Sequence, residues 1–341
     1  MISQSCRELP KALDEIAVLR ADAQLPLTIG FDIGGTNLRG GVVDSAGRII
    51  AQVQRPTPAD SDGLFDAIVE VVDLLRASYE VDAVGLAVAG FLNRECDTVR
   101  FAPHLPWRDT EVKQRLSARL GLPVVLEHDA NAAAWGEYRY GAAQGQDMWV
   151  LFAVGTGIGG AIVIDGRIMR GAFGTAGEFG HIAAVPDGRP CSCGKRGCLE
   201  RYCSGTALAT TAVELIHEGR LSTRLTADAV SGKDVMVACR EGDELAEAAV
   251  ADFATWMGRG FAMVADIVEP GLIVLGGGVV GDADMYLQRA VEVMGQTMVG
   301  GQFRPKPVVE VAALGSHAGL IGVADLARRA ASADAAGDPR Q

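Results

Sequence analysis

Two short segments of the chain repeat one local pattern, in which an apolar strand ends in a glycine turn and a second strand follows. Phe31-Asp-Ile-Gly-Gly-Thr precedes the apolar run Leu38–Asp44, and Phe152-Ala-Val-Gly-Thr-Gly-Ile-Gly-Gly precedes Ala161–Asp165. The two units lie about 120 residues apart. This spacing predicts a duplicated architecture, in which two related halves enclose a cleft.

Around these units, strand-like runs rich in β-branched residues alternate with runs of helical apolar spacing. Such alternation predicts an α/β fold with mixed sheets. The predicted strands are Leu27–Ile33, Leu38–Asp44, Arg48–Gln54, Ala83–Val88, Val124–Glu127, Met148–Val154, Ala161–Ile164, Leu272–Leu275 and Val308–Val311. The predicted helices are Gly63–Ser78, Asp109–Leu120, Asp129–Tyr140, Asp284–Met298 and Ala318–Arg329.

The order of these elements predicts two domains. We expect residues 1–24 to form an N-terminal extension and residues 25–128 to form a small α/β domain, completed by the C-terminal helix at 318–330. Residues 129–317 are expected to form a large α/β domain. The small, polar residues at 331–341 predict a flexible tail.

Composition excludes several classes of protein. Hydrophobic residues make up 49% of the chain and charged residues 22%, as in a globular protein. The net charge of −12 argues against binding to nucleic acid. The sequence has no run of eighteen apolar residues, so we expect no membrane span. The N-terminus lacks an apolar signal core. Seven cysteines, three of them spaced for a metal, favour the reducing cytoplasm over a disulfide framework.

The cysteines at 191, 193 and 198 form a cluster with one histidine upstream. Cys191, Cys193 and Cys198 lie in Cys-Ser-Cys-Gly-Lys-Arg-Gly-Cys, and His181 lies ten residues before the first of them. Three thiolates and one imidazole suit one tetrahedral structural zinc ion per chain. The alternative is a set of unpaired buried cysteines beside a hydrogen-bonded histidine. Carboxylates flank the cluster on both sides, at Glu178 and Glu200.

The glycine turns predict a phosphate site, because glycines leave backbone amides open to an anion. Neither turn has the Walker pattern, and neither leads directly into a helix as a dinucleotide-binding turn does. Each alone also fits an ordinary turn, and a third glycine run after the strand Leu272–Leu275 could accept adenine or ribose. The predicted nucleotide contacts are Asp32, Gly34, Gly35, Thr36, Asn37, Gly155, Thr156, Gly157, Gly159, Gly276, Gly277 and Gly278.

Glu127-His128-Asp129-Ala130-Asn131 ends a predicted strand and begins a predicted helix. An aspartate at a helix start is often only a cap. Here it also lies at the carboxyl end of a strand, where open α/β sheets place their active sites. Asp129 is therefore a candidate base that accepts a proton from a sugar hydroxyl. Phosphoryl transfer depends mainly on positioning and charge, so a weak base suffices.

At these motifs the chain resembles the sugar kinases of the ROK family, and most of all its zinc-containing actinobacterial glucokinases. The resemblance covers roughly residues 27–325. Asp32-Ile-Gly-Gly-Thr is shared with a wider superfamily. Gly177-Glu178-Phe-Gly-His181-Ile, followed by Cys191-x-Cys193-Gly-x-x-Gly-Cys198-x-Glu200, is specific to the family.

The resemblance implies an actin-like, hexokinase-type (ribonuclease H-like) fold, with sugar and ATP in the interdomain cleft and Mg²⁺ on the phosphates. It also implies a homodimer or homotetramer. By this resemblance Asp129 is the catalytic base, and His181 binds both zinc and sugar. The predicted sugar contacts are Gly90, His128, Asp129, Glu178, His181 and Glu200.

Two positions depart from the family pattern. His128 stands where the family usually has asparagine before the catalytic aspartate, and His104 stands where many relatives have asparagine. A neutral histidine also offers one donor and one acceptor, at a different reach. We therefore expect His128 to contact the sugar, whereas His104 is either structural or lies behind the sugar contacts.

The expected reaction is ATP-dependent phosphorylation of a hexose, with glucose at its 6-hydroxyl as the substrate. Alternatives are mannose, allose, fructose or an N-acetylhexosamine as acceptor, and polyphosphate as donor. The zinc cysteines favour ATP, since polyphosphate-dependent relatives tend to lack them. A sugar-responsive repressor is a further alternative, but only 31 residues precede Asp32, which is too few for a winged helix-turn-helix domain.

Overall fold

The computed structural model describes residues 27–336, with side chains to residue 333. The predicted extension 1–24 and residues 337–341 lie outside this range. The strands are β1 (Leu27–Ile33), β2 (Asn37–Val43), β3 (Ile49–Pro56), β4 (Val81–Val88), β5 (Phe91–Leu92), β6 (Val99–Phe101), β7 (Arg108–Thr110), β8 (Val124–His128), β9 (Met148–Val154), β10 (Ile158–Ile164), β11 (Arg167–Ile168), β12 (Leu272–Gly276) and β13 (Val308–Val311).

The described α-helices connect and cover these strands. They are α1 (Ser61–Arg76), α2 (Val112–Leu120), α3 (Asp129–Tyr140), α4 (Glu200–Cys203), α5 (Gly205–Glu218), α6 (Gly232–Arg240), α7 (Glu244–Ile267), α8 (Leu287–Thr297) and α9 (Ala318–Ala336). None of the helices within residues 27–336 is both long and apolar enough to cross a membrane.

The two main sheets have the same topology, which confirms the predicted duplication. The first sheet has the order β3-β2-β1-β4-β8, and the second has the order β11-β10-β9-β12-β13. In each sheet the opening hairpin is antiparallel, and the next strands add in parallel beside the first strand of that hairpin. The strands β5, β6 and β7 form a small separate sheet. The molecule is therefore a duplicated α/β fold.

The C-terminal helix α9 returns to the first sheet, where it packs against β1, β4 and α3. Glycines allow this close approach: a Cβ atom on Gly30 would lie 2.0 Å from the Leu320 carbonyl oxygen, and one on Gly322 would lie 1.8 Å from that of Ala132. This packing supports the small domain predicted at 25–128 and 318–330. The division into two domains remains a prediction.

Each half has its own apolar core. In the first half, α1 and α2 cover one face of the sheet, and the buried rings of Phe65 and Trp107 lie 5.4 Å apart. In the second half, α7 covers the sheet, and Phe261 packs edge-on against Phe152 at 5.0 Å. These cores hold the facing strand ends, which carry the site.

Two helix predictions were wrong in their N-terminal parts. Asp109 lies in β7 with a φ of 45°, so the helix predicted at Asp109–Leu120 begins only at Val112. The helix predicted at Asp284–Met298 begins at Leu287. A 3₁₀ segment precedes it at Gly278–Met285, and the non-helical backbone of Tyr286, with a φ of −136° and a ψ of −24°, separates the two.

Candidate active site

A cleft of about 690 Å³ lies between the two halves. Its walls come from the ends of β1 and β8, the starts of α3 and α9, the β9–β10 turn and the loops on both sides of the cysteine cluster. The predicted site residues that line it are Asp32, Gly90, His128, Asp129, Gly155, Thr156, Gly157, Gly159, Glu178, His181, Glu200 and Gly277. The exposed side chain of His104 lines it too.

Asp129 is the first residue of α3 and lies at the point where β8 ends. The cap position before it belongs to His128, whose φ of −63° and ψ of 140° are not helical. The Asp129 Oδ1 atom accepts a hydrogen bond from the Ala130 amide at 2.8 Å and lies 3.3 Å from the His128 Nε2 atom. The Asp129 side chain is 44% exposed. Its Oδ2 atom makes no hydrogen bond to the residues described, so it is free to accept a proton.

The first glycine turn connects β1 to β2. The Gly34 amide donates to the Asn37 carbonyl oxygen at 3.0 Å, and Gly35 packs against His104. Asp32, just before the turn, lines the cleft and forms an ion pair with Arg39. The residues at 34–37 are exposed or half-buried but are not part of the cleft wall.

The carboxylate of Asp32 has an unusual electrostatic environment. Burial raises its pKa above the ordinary value, and the charge of Asp129 adds to this effect. The Arg39 guanidinium and, to a smaller extent, His317 oppose the rise. The carboxylate of Asp129 is therefore close enough to influence the pKa of Asp32.

The second glycine turn connects β9 to β10 and differs from the first. The Gly155 amide donates to the Gly157 carbonyl oxygen at 2.9 Å. The Glu200 Oε2 atom accepts from the Ile158 amide at 2.9 Å, so this carboxylate holds the turn in place. A Cβ atom on Gly157 would lie 2.2 Å from the same oxygen. Glu200 thus contacts the predicted phosphate turn as well as the cleft.

A second cavity of about 490 Å³ shares Gly155, Thr156 and Thr206 with the cleft. It is otherwise lined by residues of α5, α6 and the segment after β12, which are small or apolar except for the exposed Lys233 and for Asp282. The third glycine run divides here. Gly276 is buried at the end of β12, while Gly277 lines the cleft and Gly278 lines this second cavity.

The predicted zinc ligands come together. The ligand atoms of His181, Cys191, Cys193 and Cys198 all lie within 4.8 Å of one another. The Cys193 and Cys198 sulfurs are 3.6 Å apart, and the Cys191 sulfur is 3.7 Å from the His181 Nδ1 atom. A zinc–sulfur bond of about 2.3 Å would place tetrahedral sulfurs about 3.8 Å apart. The donor set and its spacing therefore fit zinc.

Backbone geometry explains how this loop closes on itself. Gly197 has a φ of 71°, and a Cβ atom there would lie 1.6 Å from the Val185 carbonyl oxygen. The Leu199 amide donates to the Ile182 carbonyl oxygen at 2.9 Å, which ties the segment after the cysteines to the segment after His181. A metal bound here would join the loop of Glu178 to the helix of Glu200.

Sequence reasoning missed two features of the cleft. Arg201 is the only lysine or arginine among the described residues that line it, beside the carboxylates of Asp32, Asp129, Glu178 and Glu200. The Arg201 Nε atom is buried without a hydrogen-bond partner. The second feature is the buried carboxylate of Glu127, behind Asp129, which pairs with Arg170. Arg201 directly follows a predicted site residue and could have been found, but nothing in the sequence connects Glu127 to Arg170.

Comparison with known proteins identifies a family that matches most of the chain. The ROK family matches residues 28–330. The chain is 43% identical over 309 residues to the glucokinase of Streptomyces coelicolor, which covers 89% of this chain and 98% of that protein.

Solved structures agree in fold. A ROK family glucokinase from Streptomyces griseus, crystallised with glucose and AMPPNP, is 42% identical with a TM-score of 0.78, over 89% of this chain and 99% of that one. The ROK hexokinase from Thermus thermophilus is 33% identical with a TM-score of 0.76, over 90% and 99% of the two chains. The predicted actin-like, hexokinase-type fold is confirmed, and the chain belongs to the ROK family.

Proposed function

We propose that this protein transfers the γ-phosphoryl group of ATP to the 6-hydroxyl of glucose. The observation that carries the proposal is the position of Asp129. Its free carboxylate oxygen faces a cleft with the second glycine turn on one wall and the loop of Glu178 on another. Relatives that are glucokinases, one of them crystallised with glucose and an ATP analogue, support the same reaction.

Asp129 acts as the general base. Its Oδ1 atom is held by the Ala130 amide, so Oδ2 accepts the proton of the hydroxyl as the oxygen attacks phosphorus. The N-terminus of α3 stabilises negative charge at this position. Gly90, His128, Glu178, His181 and Glu200 surround the sugar and hold its other hydroxyls.

The nucleotide occupies the second glycine turn and the adjoining 490 Å³ cavity, with its base and ribose on the side of Gly278. The turn offers backbone amides to the phosphates, and Arg201 supplies positive charge in a cleft that otherwise carries carboxylates. Asp32 is the carboxylate suited to Mg²⁺, which neutralises charge on the phosphates when it is bound.

Zinc has a structural role in this proposal. His181 and the three cysteines would supply all four ligands, so a bound zinc would be structural and would not hold substrate. The ligands lie between Glu178 and Glu200 in the chain, so a bound ion would fix the relative positions of both carboxylates.

A coupled assay with a panel of acceptors and donors tests the reaction. We expect ATP-dependent phosphorylation of glucose, with lower kcat/KM for mannose, allose, fructose and N-acetylglucosamine, and no activity with polyphosphate alone. A higher kcat/KM for another hexose would replace glucose as the substrate. Failure to phosphorylate any of these sugars, by a protein that is folded and loaded with zinc, would contradict the proposal.

A further inference from the structure

An ion pair with a buried carboxylate lies directly behind the proposed base. Glu127, the residue before the cap of α3, is 1% exposed. Its Oε2 atom accepts from the Arg170 Nε atom at 2.9 Å and also from a terminal guanidinium nitrogen of the same residue. Its Oε1 atom accepts from the His128 amide and from the Asn131 side-chain amide, both at 3.0 Å. Among the described residues, the donors to this carboxylate are therefore on Arg170 or on residues within two positions of Asp129.

Arg170 belongs to the other half of the molecule. It follows β11 of the second sheet, whereas Glu127 lies in β8 of the first. Its carbonyl oxygen accepts from the Ala176 amide at 3.0 Å, which closes a short loop just before Gly177 and Glu178. The side chain of Arg170 thus contacts the strand that leads to the base. Its backbone holds the loop that leads to Glu178.

The surroundings keep the Arg170 guanidinium charged and fix its direction. Burial raises the pKa of the neighbouring Cys96 thiol to about 12, so this thiol stays neutral beside the guanidinium. Desolvation lowers the pKa of Arg170, but the charge and hydrogen bonds of Glu127, together with a smaller contribution from Cys96, outweigh it and raise that pKa. A planar guanidinium that donates two hydrogen bonds to one carboxylate fixes direction as well as distance.

We propose that the Glu127–Arg170 pair is a positioning device that sets the Asp129 carboxylate in register with the loop carrying Glu178. This inference rests on the proposed function of the cleft. The strand that leads to the base and the loop that carries Glu178 belong to different halves, and the ion pair links these two supporting segments. A shift of about 1 Å between reacting groups can lower a rate roughly 10²-fold, so such a link is expected to matter for turnover.

The test is the kinetics of Arg170→Gln and Arg170→Lys, expressed per folded active site. Arg170→Gln should lower kcat/KM for glucose by about 10²-fold through both kcat and glucose KM, while ATP KM stays unchanged. Arg170→Lys keeps the charge without the two-pronged geometry and should fall between this variant and the native protein. The matched control is Arg304→Gln, which removes a partly buried ion pair to Asp266 outside both cavities and should leave all three constants unchanged.

The double variant Glu127→Gln/Arg170→Gln separates positioning from stability. It leaves no unpaired buried charge, so its melting temperature should recover relative to Arg170→Gln while its kcat/KM for glucose stays low. Native kcat and glucose KM in Arg170→Gln, or recovery of both in the double variant, would overturn the positioning role. Absence of glucose phosphorylation by the native protein would instead overturn the proposed function, and the positioning role with it.

Discussion

The two glycine turns occupy equivalent places in two sheets of the same topology, yet they present different chemistry. The first turn is preceded by Asp32, a cleft carboxylate paired with Arg39, and its own glycines lie off the cleft wall. The second turn has no carboxylate of its own, lines both cavities and is held from outside by Glu200. The two halves thus share the same backbone turn but use it differently. The first turn places the Asp32 carboxylate in the cleft, and the second turn places backbone atoms of Gly155 and Thr156 there.

The covering helices differ in the same way. The second sheet is covered by α7 through large apolar side chains, whereas α9 lies on the first sheet through glycines at contact distance. Both α3 and α9 begin at the cleft, and they pack against each other. The first half therefore includes α9, the helix α3 that carries the base packs against both α9 and the second sheet, and the second half includes the metal loop.

Among the changes outside the proposed base, the largest expected effect concerns the metal loop of the second half. Cys193→Ala should abolish stoichiometric zinc and lower kcat/KM for glucose by roughly 10²-fold or more, because Glu178 and Glu200 lose their common anchor. Elemental analysis of the purified protein and the coupled assay measure the two effects. Cys239→Ala, outside the cluster, is the control and should retain zinc and activity. A folded, active Cys193→Ala protein without metal would show that the loop needs no zinc.

The next effect concerns the contact between α3 and the C-terminal helix α9. Asp325 on α9 is 3% exposed and accepts hydrogen bonds from Trp135, Arg139 and Tyr140 of α3. Asp325→Asn should lower the free energy of unfolding by about 3–5 kcal/mol, as removal of one buried partner does. Asp266→Asn, in a partly exposed pair, should cost less than about 1 kcal/mol. Equal losses in urea unfolding would show that the helix pair has no special role.

Acid should remove the contribution of the Asp325 carboxylate to the free energy of unfolding. Burial alone raises the pKa of Asp325, but hydrogen bonds from Tyr140 and Trp135 and the charges of Arg139 and Arg329 hold it below its ordinary value of 3.8. In the unfolded chain the pKa of this carboxyl is its ordinary 3.8, so the stabilisation is fully present well above pH 3.8. It is lost as the pH falls through the lower pKa of the folded state. The stability difference between the native protein and Asp325→Asn should therefore narrow on acidification.

A smaller effect compares the two turns directly. A Cβ atom on Gly155 would lie 3.9 Å from the nearest atom, and one on Gly34 would lie 3.4 Å from its nearest atom, so alanine fits both places. In Gly155→Ala the added methyl group should keep the phosphates of ATP away from a backbone amide of the turn. ATP KM should then rise by about 10–100-fold, since a lost hydrogen bond to a charged group costs about 1.5–3 kcal/mol. Gly34→Ala should raise it less, and neither should change glucose KM. A larger effect at Gly34 would reverse the roles assigned to the two turns.

The smallest effect concerns His128, between the turns. His128→Asn restores the residue usual in the family and should keep near-native turnover. His128→Ala should weaken glucose binding by about 1–3 kcal/mol if a buried hydroxyl loses its partner. Glucose KM of the two variants is the measurement. Native values in both would mean that the imidazole only packs beside Asp129.

Features carried by adjacent residues were predictable from the sequence. The zinc ligands lie within one short segment, so their spacing predicted a cluster whose ligand atoms the structure brings together. Asp129 lies at a recognisable junction of strand and helix, so its place at the cleft was predictable, while its role as the base stays a prediction. The Glu127–Arg170 pair was not predictable, because its members are 43 residues apart and meet only when the two sheets face each other. The start of the helix predicted at Asp109 was wrong for a related reason. Asp109 has a positive φ within the small sheet, and local sequence propensity does not encode such a conformation.

The central claim is that Asp129 removes the proton from the sugar hydroxyl between the two turns. The most direct measurement is kcat of Asp129→Asn, which keeps the size of the side chain and its place at the start of α3 but removes the charge. We predict that kcat for glucose falls by ~10²–10⁴-fold, while glucose KM, ATP KM and the melting temperature stay close to native. Near-native turnover by a folded Asp129→Asn protein would contradict the account.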